Sequence, residues 1–147
     1  KSDIDLSKKF EHKTFYGLLN EEIGFDISTL SDIDLFDVCK TQNLEIEKNA
    51  NTGQMLDSLM STLIEPKLIN PTFVIDYPKS ISPLAKLKRD GSENIVERFE
   101  LFIGGSEFAN SEDSNMSAVN MGRLFVESME GAFKNWKPRQ KFKLYKV

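Results

Sequence analysis

The sequence predicts an α+β fold, and three observations carry that prediction. Apolar residues recur at helical spacing up to Leu63, whereas β-branched and aromatic runs take over after Asn70-Pro71. The two textures do not alternate, so the βαβ rhythm of a parallel sheet is missing. The chain has 147 residues, 39% hydrophobic with 11 Phe, which suits one domain with a real core.

Each element follows from a local pattern. Phe15, Leu18, Leu19 and Ile23 form a helical stripe, with Gly24 as its stop. Ser31 followed by Asp34 resembles a capping box with Asp in place of Glu, opening a helix whose stripe is Ile33, Phe36 and Cys39. Thr52 precedes a third stripe, Met55, Leu56, Leu59, Met60 and Leu63, where the methionines serve packing. T-F-V-I-D (72–76) reads as a strand between Pro71 and Pro78. Residues 80–86 are extended or turning, because Ser82 precedes a proline. Residues 87–94 form a polar loop turning at Asp90-Gly91, and a strand, turn and strand follow up to Asn110. Ala118, Met121, Phe125, Met129 and Ala132 predict a last helix, and K-F-K-L-Y-K-V alternates like an edge strand.

Charge and cysteine usage bound the function. Net charge is −4, yet residues 134–147 hold six Lys/Arg and no acid. Interleaved with Trp136, Phe142 and Tyr145, these lysines suit either nucleic-acid phosphates and bases or the guarding of an open sheet edge. One cysteine, Cys39, excludes an internal disulfide and fits a reducing compartment. Apolar runs are too short for a membrane span and the first residues too charged for a secretory signal, so a cytoplasmic protein is expected. His12 has no histidine or cysteine partner for zinc, and no P-loop or Rossmann glycine pattern occurs.

The stretch E-R-F-E-L-F-I-G-G-S-E-F-A-N (97–110) carries the chemistry. If Gly104-Gly105 form a two-residue hairpin turn, Ile103 pairs with Ser106, Phe102 with Glu107, Leu101 with Phe108 and Glu100 with Ala109. Phe99, Leu101, Ile103 and Phe108 then share a core face, and Glu100, Phe102, Glu107 and Ala109 share the other. The turn thus brings Glu100 and Glu107, seven residues apart, onto one face. Two readings follow from pairing alone: solvated glutamates on a wet face, or carboxylates that share a hard cation such as Mg²⁺ with substrate phosphates.

Residues 64–86, I-E-P-K-L-I-N-P-T-F-V-I-D-Y-P-K-S-I-S-P-L-A-K, together with 97–110, closely resemble the catalytic domain of the class II lysyl-tRNA synthetases. That family shows P-T-F, D-x-P, S-P-L-A-K and R-F-E-L-F-x-x-G-x-E-x-x-N in this order and at similar separations. The resemblance covers about residues 1–111. It implies a helical insertion at 1–66, core strands of the class II antiparallel sheet at 67–111, and an unmatched C-terminal helix and basic edge strand at 112–147. It further implies ATP-dependent attachment of L-lysine to tRNA(Lys) through a lysyl-adenylate, with Mg²⁺ as cofactor and a homodimeric complete enzyme. Glu100 and Glu107 match the family's Mg²⁺ and ATP ligands, and Asn110 the asparagine beside adenylate and lysine. Ser82, Pro83, Leu84 and Ala85 match the segment shaping the amino-acid side of the pocket.

The departures from the family pattern matter equally. After Asn110 the family continues F-S-E-L-N-D-P, whose glutamate reads the lysine ammonium. Here the chain reads S-E-D-S-N-M-S, with Ser114 at that position and Glu112 or Asp113 as displaced substitutes. The F-R-N-E of motif 2, the glycine run of motif 3, the dimer-forming motif 1 and the anticodon domain are not found in the chain. Arg123 in V-N-M-G-R-L-F-V echoes only the arginine of motif 3. Two functions are therefore expected as alternatives. One is a partial lysine–tRNA ligase, inactive alone; the other is a degenerate, non-catalytic paralogue that binds a nucleotide or a synthetase-like partner.

Overall fold

The computed structural model describes residues 10–111. The expected last helix and basic edge strand lie outside them, as do Glu112, Asp113, Ser114 and Arg123. Within them run strand β1 (Glu11–Thr14), helices α1 (Phe15–Ile23), α2 (Asp32–Thr41) and α3 (Thr52–Leu59), and strands β2 (Thr72–Pro78), β3 (Ile95–Ile103) and β4 (Ser106–Ser111). The α+β class is the observed one.

The sheet order is β1-β2-β3-β4, with β1 parallel to β2 and the other pairs antiparallel. The sheet is therefore mixed, and β1 lies where only helices were expected. Its four residues, E-H-K-T, are all exposed and carry no apolar alternation. Backbone pairing defines this strand, beginning with the Glu11 N–H donated to the Pro71 carbonyl at 3.1 Å, and the His12 ring lies 5.3 Å from that of its partner Phe73. The three helices form the crossover that a parallel neighbour requires.

Caps set the helix ends. Thr14 caps α1 by accepting from the Gly17 N–H, and Gly24 closes it at φ 92°, in the left-handed region open to glycine. The Ser31 hydroxyl accepts from the Asp34 N–H and donates to the Asp34 carboxylate at 2.6 Å, so Ser31 is the cap and Asp34 braces its hydroxyl, in place of the reciprocal backbone bond of a capping box. The stripe expected for α2 is corrected: Leu35 and Cys39 are buried, whereas Ile33 is 76% exposed. Positions 35 and 39 are one turn apart and point together at the core, and Ile33 lies off that line. In α3 the cap is Asn51, which forms a reciprocal capping box with Gln54, and Met55, Leu56, Leu59 and Met60 are buried as expected. The helix loosens into a π turn at Met60–Ile64 and a 3₁₀ turn at Glu65–Lys67, where Pro66 prevents its continuation.

Two apolar clusters sandwich the central strands. Phe15, Leu19, Leu35, Leu56 and Leu59 pack on Val74, Tyr77, Val96 and Phe102, while Phe73, Phe99 and Leu101 pack with Phe10 on the opposite face. Neither face of β3 is wet: Leu101 on one face and Phe102 on the other are fully buried, and Glu100, beside Phe102, is 7% exposed. The solvated-glutamate reading is overturned for Glu100, because helices cover the face that carries it.

The β3–β4 hairpin turns at Gly104 (φ 66°) and Gly105 (φ 75°), the pair of positive φ angles that a two-residue turn of the right twist demands. The turn donates its two N–H groups to the carbonyls of Ile69 (2.8 Å) and Leu68 (3.0 Å). Ile103 pairs with Ser106 and Phe102 with Glu107, as expected. Beyond these the register shifts, so that Leu101 faces Ala109 and Glu100 faces Asn110. The expected pairs Leu101–Phe108 and Glu100–Ala109 are thus corrected, because Phe108 is the extra residue of a β-bulge.

Candidate functional site

The bulge decides which groups meet. Strict alternation would place Ala109 on the Glu100 face; the extra residue substitutes Asn110. Glu100, Glu107 and Asn110 consequently share one face, and the Asn110 side-chain amide donates to Glu107 Oε1 at 2.9 Å. Glu107 and Asn110 are exposed, whereas Glu100 lies beneath them at the edge of the helical core.

A second irregularity does the same in β2. The register shifts between Ile75 and Tyr77, where Asp76 takes φ 59° and its carboxylate accepts from Lys88 Nζ at 2.9 Å. Aspartate tolerates this left-handed conformation better than most residues. Val74 and Tyr77 consequently join the same cluster, although an odd step of three positions would set them on opposite faces of a regular strand. The Tyr77 hydroxyl donates to Glu100 Oε2 at 2.6 Å. The other carboxylate oxygen, Oε1, accepts from Arg98 Nη2. Arg98 Nη1 donates to the Ser82 hydroxyl, and the guanidinium lies 4.8 Å from the centre of the Tyr77 ring.

Charge is concentrated here. Burial pushes the Glu100 carboxyl up, and the Glu107 charge adds to this, against the Tyr77 hydrogen bond and Arg98. Burial also raises Glu65, reinforced by the charges of Glu100, Asp57 and Glu107. The Tyr77 phenol is pushed far up by burial and by Glu100, so it stays protonated as a donor. Three glutamates thus feel one another. Among the described residues no group of three or more His, Cys, Asp or Glu side chains is arranged to hold a metal unaided. The arrangement suits a cation whose remaining ligands come from a substrate.

The segment expected to shape a pocket is divided. Ser82 is buried and tied to Arg98, Ala85 is buried, Pro83 is exposed and Leu84 is 92% exposed. The segment is seated by α3, since the position of a Cβ on Gly53 lies 2.2 Å from the Ser80 carbonyl oxygen. Arg98, Tyr77 and Glu65 were not anticipated from the sequence. The period-two step from Glu100 back to Arg98 was the available signal for the first of them.

The motif order that carried the resemblance extends to whole-chain comparisons. Residues 1–145 match the family model of the class II tRNA synthetases (D, K and N). The chain belongs to that class II tRNA synthetase family. The match runs past residue 111, into the segment for which the motifs showed no counterpart. The lysine–tRNA ligase of Saccharolobus solfataricus is 37% identical over 131 residues, 88% of this chain and 26% of that protein. Those of Azobacteroides pseudotrichonymphae (31% identical, 86% and 25%) and Thermoanaerobacter sp. (33% identical, 88% and 26%) are similar over nearly the same share. This synthetase chain spans about a quarter of the length of these relatives. No helix among the described residues is long and apolar enough to cross a membrane.

Proposed function

We propose that the chain supplies the magnesium–nucleotide edge of a lysine–tRNA ligase, which joins L-lysine to tRNA(Lys) through a lysyl-adenylate at the expense of ATP. One observation supports this above the others: the β4 bulge gathers Glu100, Glu107 and Asn110 on one face. Two hard carboxylates that repel each other fit Mg²⁺, which characteristically takes one or two carboxylates and completes its shell with phosphates and water. Glu100 and Glu107 would hold the ion, which when bound offsets the negative charge of the nucleotide phosphates.

The chain's own groups prepare that site. Tyr77 and Arg98 fix both oxygens of Glu100, so the carboxylate is oriented before any ligand arrives. Asn110 orients Glu107 and keeps its remaining amide capacity for the adenylate and lysine. Ser82 to Ala85 contribute the amino-acid side. In the complete enzyme ATP, lysine and tRNA(Lys) are the substrates and a homodimer the working form. The single buried thiol, Cys39, supports a cytoplasmic setting. A non-catalytic nucleotide-binding paralogue is the second reading, favoured by Ser114 at the lysine-reading position.

Calorimetric titration with ATP in excess Mg²⁺ tests the shared core of both readings. Glu100→Gln and Glu107→Gln should each weaken Mg-ATP binding by roughly tenfold or more, a loss of at least about 1.4 kcal/mol. Parental affinity in both variants would remove these residues from the site.

A further inference from the structure

One partly buried cation, Arg98, takes no direct part in the proposed ligand contacts. Arg98, sixteen residues after Ser82, joins that residue to Glu100, donating through Nη1 to Ser82 and through Nη2 to Glu100. Ser82 is 2% exposed and Glu100 7%. Burial removes the solvent screening that makes exposed ion pairs weak. The guanidinium is planar and rigid, so its two ends cannot move independently, and the Tyr77 ring beneath it restricts its tilt. A displacement of the Glu100 carboxylate is therefore carried to Ser82, and with it to the turn that continues into Leu84 and Ala85.

We propose that Arg98 is a positioning residue that couples the Glu100 carboxylate to the Ser82–Ala85 segment. A magnesium ion held by Glu100 would compete with Arg98 for the same carboxylate and weaken the hold of the guanidinium on it. The guanidinium responds by shifting against Ser82, so nucleotide binding resets the backbone on the amino-acid side. Lysine at position 98 would retain the charge but not the fork, which separates coupling from simple charge compensation. The inference rests on the Mg-ATP reading above.

The test is a two-dimensional NMR titration of the isotopically labelled chain with Mg²⁺ and ATP. In the parent, amide resonances of Glu107 and Asn110 should shift, and those of Leu84 and Ala85 should follow with the same half-saturation. In Arg98→Lys and in Ser82→Ala the shifts at Leu84 and Ala85 should be lost while those at Glu107 and Asn110 remain. Ser82→Ala removes one hydroxyl only, so it decides the matter should Arg98→Lys fail to fold. Shifts at Leu84 and Ala85 that persist in Ser82→Ala overturn the coupling, as does a parent in which Glu107 and Asn110 respond and Leu84 and Ala85 stay silent. A parent in which Glu107 and Asn110 do not respond overturns the Mg-ATP reading itself, and the coupling with it.

Discussion

Glu65 shows how a single carboxylate reports the charge stored around the site. It is half-buried, and burial together with Glu100, Asp57 and Glu107 raises its carboxyl above the ordinary carboxylate range. A raised folded-state value means that the folded form holds the proton more tightly than the unfolded chain. Its stabilising contribution is full below the unfolded carboxylate value, about 4.3, and is lost as pH rises through the raised folded value. Once ionised in the folded chain, Glu65 is therefore a liability. Glu65→Gln should raise the thermal midpoint at neutral pH, and the gain should shrink on acidification as the parent takes up its proton. A gain that stays constant across the acid range would mean that Glu65 is not the titrating source. Residue chemistry of this kind was only partly legible. The parity of the Gly104-Gly105 turn placed Glu100 and Glu107 together correctly, because pairing next to a tight turn is forced. Asn110 came to the same face through a bulge, and Tyr77 through an irregularity at Asp76; neither residue announces its φ or register in sequence.

At the scale of elements, two glycines hold the site against its surroundings. Gly105 has φ 75°, and a Cβ there would lie 3.2 Å from the Pro66 carbonyl oxygen, against the turn that presents Glu65. Gly24 has φ 92° with nothing within 4 Å of a Cβ. Alanine at either pays for the left-handed backbone, roughly 1–2 kcal/mol. Only Gly105→Ala also presses on backbone, so its urea midpoint should fall further than that of Gly24→Ala. Equal losses would show that the hairpin turn is not seated on the 65–69 segment. Gly53→Ala is the more severe case, because a Cβ 2.2 Å from the Ser80 carbonyl oxygen forces α3 and the 80–86 segment apart. Overpacking of this sort costs on the order of 1–3 kcal/mol, so Gly53→Ala should lower the urea midpoint clearly. An unchanged midpoint would mean that the two elements separate freely. Elements were mostly readable from their apolar stripes, as in α1 and α3, and α2 from its Ser31 cap. The parallel strand β1 was not, since E-H-K-T gains its strand character from its neighbour and not from its own side chains.

For the molecule as a whole, the decisive quantity is how much of a catalytic centre one chain can assemble. The described residues provide a carboxylate pair, its asparagine and a seated Ser82–Ala85 turn, all toward one face of a four-stranded sheet. Lysine activation needs more than this edge. Carboxylate and α-phosphate must be held in line, and that positioning is worth several kcal/mol of the barrier. Electrostatic donors must also meet the charge that develops in transfer. The lysine–tRNA ligases it resembles are about four times its length. An edge that binds the ground state without those donors lowers no barrier, because only interactions stronger in the transition state accelerate the reaction. The 147-residue chain should therefore bind Mg-ATP weakly, yet show no lysine-dependent exchange of pyrophosphate into ATP above a no-protein blank. Exchange that depends on lysine and disappears in Glu107→Gln would show that the edge suffices for adenylate formation, and would place the missing donors within residues 1–147.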